Sequence, residues 1–358
     1  MDALVLGQMK DEQTGIYILY ALNSLGVNVK GIDTRDIIDK YDKYQLPMIL
    51  NNELNNIKYS YEDFDPAFIL ILKGLEFDLT MLRELRERFP KAKLVNWFFD
   101  KYLEDKPIYE SKNYFNVIKY YDYYYCSLKG VADKLKEQGF ENVHFLPEAC
   151  HEDFHSEQIM NAYQEAKYGS DIAFIGSIGF HTQHPERINT LSKVIKEGFD
   201  TKIWGSVVGD KKRIPREIWD SHALESVVNE NHSMVCQASN IVLGIDQDTE
   251  LELGFSARLY RVLAAGGLYL TNYTPKLEDW FIINLKGEPI TAEQDLVVYY
   301  DLDDLINKID FLLNPKNASI VESIKKNGKE EVLEGHTFKK RLERMLSEVF
   351  PKNGDDNE

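Results

Sequence analysis

Residues 254–267, GFSARLYRVLAAGG, hold the densest set of groups able to do chemistry. A serine precedes an apolar helical pattern, Arg258 and Arg261 stand in its first turns, and Gly266–Gly267 lead into the strand-like LYLT. Ser256 suits the N-cap, because its hydroxyl can accept a bond from a free N–H of the first turn. The helix then runs over 257–265 and stops at the glycine pair, one glycine in the left-handed conformation. A helix N-terminus offers unpaired N–H groups and a partial positive charge, and Arg258 adds a full one. Cations are disfavoured there unless an anion is near, so the arrangement fits a bound diphosphate. A surface helix with two ordinary arginines is the other reading.

Elements that position this stretch alternate along the chain. ALVLG (3–7), VNVKGI (27–32), AFILIL (67–72), KLVNWFF (93–99), YYYCS (123–127) and NVHFL (142–146) read as strands, with helical patterns such as TMLRELRERF between them. The alternation restarts with IAFIGS (172–177), TKIWGS (201–206), IVLGI (241–245), GLYLT (267–271) and LVVYY (296–300). Each half therefore predicts a parallel sheet covered by helices, an α/β unit. The expected division is a first domain over 1–160 and a second over 161–335. A C-terminal helix over 336–350 is free to pack back on the first domain, and 351–358 is a disordered tail. Ligands in open α/β sheets bind beyond the carboxyl ends of the strands, so two such sheets facing each other would make a cleft.

The bulk numbers narrow the class. With 358 residues the chain is long enough for two domains, and 44% hydrophobic with 28% charged residues describes a folded protein. Forty-two Lys and Arg against 59 Asp and Glu give −17, a field that repels nucleic acid and anionic lipid. The basic run DKKRIPR (210–216) reads as a solvated loop. Cys126, Cys150 and Cys236 are an odd, scattered set that fits neither a disulfide framework nor a zinc site. No apolar run approaches a membrane span and the N-terminus lacks a signal-peptide pattern, so a cytoplasmic location is expected. Oligomeric state is not legible.

SNIVLGIDQDTELELGFSARLYRVLAAGGLYLTNYTPKLEDWF, with VVYYDLDDLINKIDFLLNP and GKEEVLEGHTFKKRLERML, resembles the C-terminal domain of CgeB-like, spore maturation protein glycosyltransferases. The likeness covers 239–346 most fully, 172–205 less so, and the first domain only in layout and in WFFD. It implies the GT-B fold, two facing Rossmann-like domains with an inter-domain cleft, and a group-1-like donor domain. It implies a nucleotide-sugar donor whose diphosphate meets Gly254, Phe255, Ser256 and Arg258, and an unknown acceptor: glycan, protein or small molecule. In related retaining enzymes two glutamates bracket this loop, the second holding the ribose. The corresponding positions here are Leu253 and Arg261, with Glu252 adjacent to the first.

Other donor elements lie in IAFIGSIGFHTQHPERINTL, where Gly176 and Ser177 end a strand and Arg187 follows on the next helix. A plain strand-to-helix turn and a surface arginine is the alternative. His181 and His184 read better as a solvated loop than as a metal pair. Trp204 and Gly205 either line a nucleoside pocket, with Arg261, or belong to the core. Asp100, closing KLVNWFFD, is the leading catalytic or acceptor-binding group beside Arg258, its alternative a cap. Glu148 and His151 in LPEACHEDFH either touch the acceptor or shape the hinge. DLDD (301–304) is read as a helix cap, and neither it nor DQD (246–248) is read as a metal site. No metal and no cofactor is expected, the positive groups serving the diphosphate. The leading expectation is a metal-independent, retaining glycosyltransferase. A sugar-nucleotide epimerase or hydrolase on the same fold, or a non-catalytic nucleotide- or glycan-binding module, stands beside it.

Overall fold

The computed structural model describes residues 1–10, 14–61, 63–100, 114–179, 186–223, 225–246 and 252–351. Two compact units are present, one built from 1–148 with 338–358 and the other from 149–337. All the strands in the two sheets pair in parallel.

In the first unit β1 (Asp2–Gly7), β2 (Asn28–Asp33), β3 (Pro66–Leu72), β4 (Lys93–Phe98), β5 (Tyr123–Cys126) and β6 (Val143–Phe145) are ordered β2-β1-β3-β4-β5-β6. Ala3 to Leu6 and Phe68 to Leu72 are buried, as expected for central strands covered on both faces. The helix Phe338–Val349 belongs to this unit. Phe338 packs against Tyr17 and Trp97, each at 6.0 Å between ring centroids, and the Tyr125 hydroxyl donates to Glu348 Oε2 at 2.8 Å.

In the second unit β7 (Ile172–Ile175), β8 (Thr201–Trp204), β9 (Ile241–Gly244), β10 (Tyr269–Asn272) and β11 (Val297–Tyr299) are ordered β11-β10-β9-β7-β8. From β7 the chain moves outward to β8 and then returns to the other side of β7 as β9. The switch point therefore lies between the carboxyl ends of β7 and β9, where open α/β sheets bind ligands. Residues 149–160 belong to this unit and not, as expected from sequence, to the first domain. Hydrogen bonds hold them there: Cys150 N–H donates to His336 O at 3.2 Å, Gln158 N–H donates to Gln237 Oε1 at 2.7 Å, and Gln237 Nε2 donates to Gln158 O at 3.2 Å. The helix Ala162–Tyr168, with an Asn161/Gln164 capping box, follows.

DLDD caps its helix: the Asp301 carboxylate accepts the Asp304 N–H at 2.9 Å. The three cysteines are buried thiols. Among the described residues no helix is long and apolar enough to cross a membrane.

Candidate functional site

The end of β7 and the end of β8 approach each other through two glycines. Gly176 N–H donates to Trp204 O at 2.8 Å, extending the ladder by one residue. A Cβ on Gly205 would stand 2.3 Å from Gly176 O, and its φ of +143° is one that side-chain-bearing residues rarely adopt. A Cβ on Gly176 would stand 2.7 Å from Arg258 Nη2. The absent side chain is thus the space in which Arg258 lies.

The helix carrying Arg258 is shorter than the sequence pattern suggests, Arg258–Ala264. Ser256 is not its N-cap. Ala257 holds that position in a helical conformation with no side-chain cap, and the Ser256 hydroxyl instead donates to Asp246 Oδ1 at 2.7 Å. The carboxylate just beyond β9 outcompetes a helix N–H for that hydroxyl, as a charged acceptor makes the stronger bond. At the far end Gly266, with φ +75°, stops the helix, and Gly267 N–H donates to Val262 O at 3.0 Å.

Arg258 folds back over the end of β7. Its Nε donates to Ile175 O at 2.6 Å, Nη1 lies 3.5 Å from Asp246 Oδ1, and the guanidinium sits 5.1 Å from the Phe174 ring centre. Its unfavourable place at a helix start is thus compensated from within by a buried carboxylate. Arg187 reaches the same place from the helix Glu186–Lys196. Its Nη1 donates to Ser177 O at 2.8 Å, and its guanidinium lies 5.4 Å from the same Phe174 ring. Burial, then repulsion from Arg258, lowers its pKa to about 9, opposed by the Asp246 charge. Burial, then the Asp246 charge, pushes the Tyr269 phenol up. Two guanidiniums and one carboxylate are therefore held out of water at the switch point.

The structure brings Gly176, Ser177, Arg187, Ser256 and Arg258 together around Phe174 and Asp246. Asp246 is the residue that sequence reasoning passed over, having weighed DQD only as a metal site and set it aside. Gln247 and Asp248 lie outside the described residues, as do His181 and His184. Asn272, at the end of β10, accepts the Asp246 N–H at 2.7 Å and fixes that turn. The signal was available in IVLGID, where an aspartate closes a buried strand.

Gly254 and Phe255 are buried, and Phe255 packs edge-on against Tyr260 at 5.6 Å and Phe281 at 6.5 Å. The phenylalanine anchors the loop. Leu253 holds φ +49°, a strained backbone of the kind that clusters at ligand loops, with its N–H on Pro275 O at 2.9 Å. Trp204 is a core residue, 2% exposed and 5.5 Å from Tyr168 between ring centres. Arg261 lies beside His155 and His232, whose pKa values burial lowers first and its charge lowers further.

In the first unit, Asp100 pairs with Lys73 at 2.8 Å at the carboxyl ends of β4 and β3, and Lys73 itself holds φ +59°. Glu148, half-buried, ends that unit's first segment. His151 opens the second unit's chain, buried, with its ring edge-on to Phe154 at 4.9 Å and its N–H on His155 Nδ1 at 3.0 Å. Burial lowers its pKa.

Residues 186–347 match the model of a family described as glycosyl transferase-like. No curated protein sequence matches the chain. Among solved structures, the catalytic domain of starch synthase IV from Arabidopsis thaliana, bound to ADP and acarbose, superposes with a TM-score of 0.66 at 10% identity, covering 97% of this chain and 99% of that one. Sucrose-phosphate synthase from Thermosynechococcus elongatus gives 0.63 at 12% identity over 99% and 100%. A putative UDP-N-acetylglucosamine 2-epimerase from Listeria monocytogenes gives 0.57 at 10% identity over 99% and 97%. The chain has the GT-B architecture of two Rossmann-like domains, and its residues 186–347 are similar to a glycosyl transferase-like family.

Proposed function

We propose that the protein is a glycosyltransferase that takes a sugar from a nucleoside-diphosphate donor and passes it to an acceptor hydroxyl. The observation that carries this reading is the convergence of Arg187 and Arg258 on Phe174 at the switch point of a glycosyl transferase-like domain. In this reading the donor diphosphate lies over the ends of β7 and β9, against the Gly176–Ser177 backbone. Charge develops on the diphosphate as the glycosidic bond breaks, and guanidiniums already fixed in a low-dielectric site stabilise it without reorganising. They take the part a divalent metal would otherwise play. Transfer proceeds with retention, a leaving-phosphate oxygen accepting the proton of the incoming hydroxyl. Asp100, held by Lys73, orients an acceptor on the first unit, and the protein works in the cytoplasm.

The epimerase-like neighbour supports a second reading on the same fold, isomerisation of a sugar nucleotide without any acceptor. Incubation with UDP-, ADP- and GDP-sugars, followed by product analysis, separates the two: an isomer of the donor without acceptor favours the second. Thermal unfolding with the same panel tests the donor site itself. A ligand at a hundred times its Kd adds about 2.7 kcal/mol of stability. One nucleotide should stand out and lose its effect in Arg258→Ala; no shift with any nucleotide overturns the reading.

A further inference from the structure

Among the buried polar atoms of the second unit that make no hydrogen bond to another described residue are two at the switch point, Asp246 Oδ2 and Arg258 Nη1. Neighbouring atoms of both residues are engaged. Asp246 Oδ1 accepts from Ser256 Oγ at 2.7 Å, the Asp246 N–H donates to Asn272 Oδ1 at 2.7 Å, and Arg258 Nε donates to Ile175 O at 2.6 Å. Nη1 lies 3.5 Å from Oδ1, an electrostatic contact too long for a good hydrogen bond. The Asp246 side chain is 2% exposed and that of Arg258 10%. Buried acceptors and donors left unmade are costly, and where they persist side by side a ligand is the natural complement.

The charge count sharpens this. A site built only for phosphate is best served by Arg187 and Arg258 with no carboxylate between them, yet Asp246 is buried among them and opposes part of their field. A carboxylate beside an anion site is explained by a ligand carrying an anionic oxygen and a hydrogen-bond donor at adjacent positions. Phosphorylated sugars have that pattern, a phosphate oxygen next to ring hydroxyls. We propose that Asp246 Oδ2 accepts a hydrogen bond from a sugar hydroxyl of the ligand whose phosphate oxygen takes Arg258 Nη1. The inference rests on the donor-site reading above and adds to it the residue that recognises the sugar. The hydroxyl belongs either to the ribose or to the transferred sugar.

Calorimetric titration of the full chain decides the matter. The probes are inorganic pyrophosphate; UDP, ADP and GDP with their 2′- and 3′-deoxyribose forms; and UDP-glucose, ADP-glucose and GDP-mannose with a 2-deoxyglucose analogue. Asp246→Asn keeps an acceptor for Ser256 and removes the charge. Pyrophosphate should bind it as tightly as the unmutated protein or tighter, while the best hydroxyl-bearing ligand weakens at least about tenfold. Loss of affinity for a deoxyribose probe on the unmutated protein assigns the hydroxyl to the ribose. Normal binding of those forms, with only the nucleotide sugar weakened, assigns it to the transferred sugar. Equal weakening of pyrophosphate and nucleotide sugar, or no change in either, overturns the inference and leaves Asp246 as a support for Arg258. Should the variant not fold, the deoxy probes decide alone, and no loss with any of them overturns it. If no probe binds the unmutated protein, the donor-site reading itself fails, and the inference falls with it.

Discussion

Arg258 and Asp246 stand 3.5 Å apart, one at the start of a seven-residue helix and the other just past the end of β9, and both are largely buried. Truncating either leaves the other's charge in the interior. Breaking a buried pair from one side costs about 3–5 kcal/mol, and the long contact here argues for somewhat less. Arg258→Ala should lower stability by about 2–4 kcal/mol in denaturant titration and also abolish nucleotide-induced stabilisation. Retention of that stabilisation in the folded variant would remove Arg258 from the donor site.

Gly205 allows β8 to end against Gly176. Gly205→Ala places a methyl 2.3 Å from a backbone oxygen that cannot move aside like a side chain. The expected loss is about 2–4 kcal/mol, read as a lower midpoint of unfolding. Gly176→Ala meets the end of the Arg258 side chain instead, so it should cost less stability and more nucleotide affinity.

His232 is buried beside Cys236 Sγ at 3.5 Å, and burial, then the charges of Arg261 and Arg258, lower its pKa to about 3. His155 is lowered in the same direction. As pH falls below about 6.5 the unfolded chain takes up protons that the folded imidazoles refuse, so the unfolded state is favoured. For His232, stability should fall from about pH 6.5 towards pH 3 by up to about 1.4 kcal/mol per pH unit, and His155 adds in the same direction. His232→Gln should flatten that acid limb; an unchanged slope would show that other groups set it.

Asp100 and Lys73 form a partly exposed pair, with side chains 29% and 43% accessible. Such pairs contribute at most about 1 kcal/mol. Asp100→Asn should therefore leave the unfolding midpoint nearly unchanged while reducing transfer about a hundredfold, the scale of a misoriented acceptor hydroxyl. Nucleotide affinity should hold. A fall in stability with turnover intact would make the pair structural.

All eleven strands and their parallel arrangement were legible from the sequence, because burial on both faces demands continuous apolar runs such as AFILIL and IVLGI, which local composition displays. The glycine stop of the Arg258 helix was legible for the same reason, since its signal lies within one turn. The strand order, and with it the switch point between β7 and β9, was decided only by tertiary structure: pairing joins Ile172 to Ile241 across a long stretch of chain that carries β8 away on the other side. So was the fate of Ser256, which local pattern assigns to a helix cap and which a carboxylate ten residues earlier takes instead. Trp204 gave no local sign of whether it meets ligand or core. Local rules see neighbours along the chain; the competition for Ser256 and the counter-ion of Arg258 are settled by residues that only folding brings near.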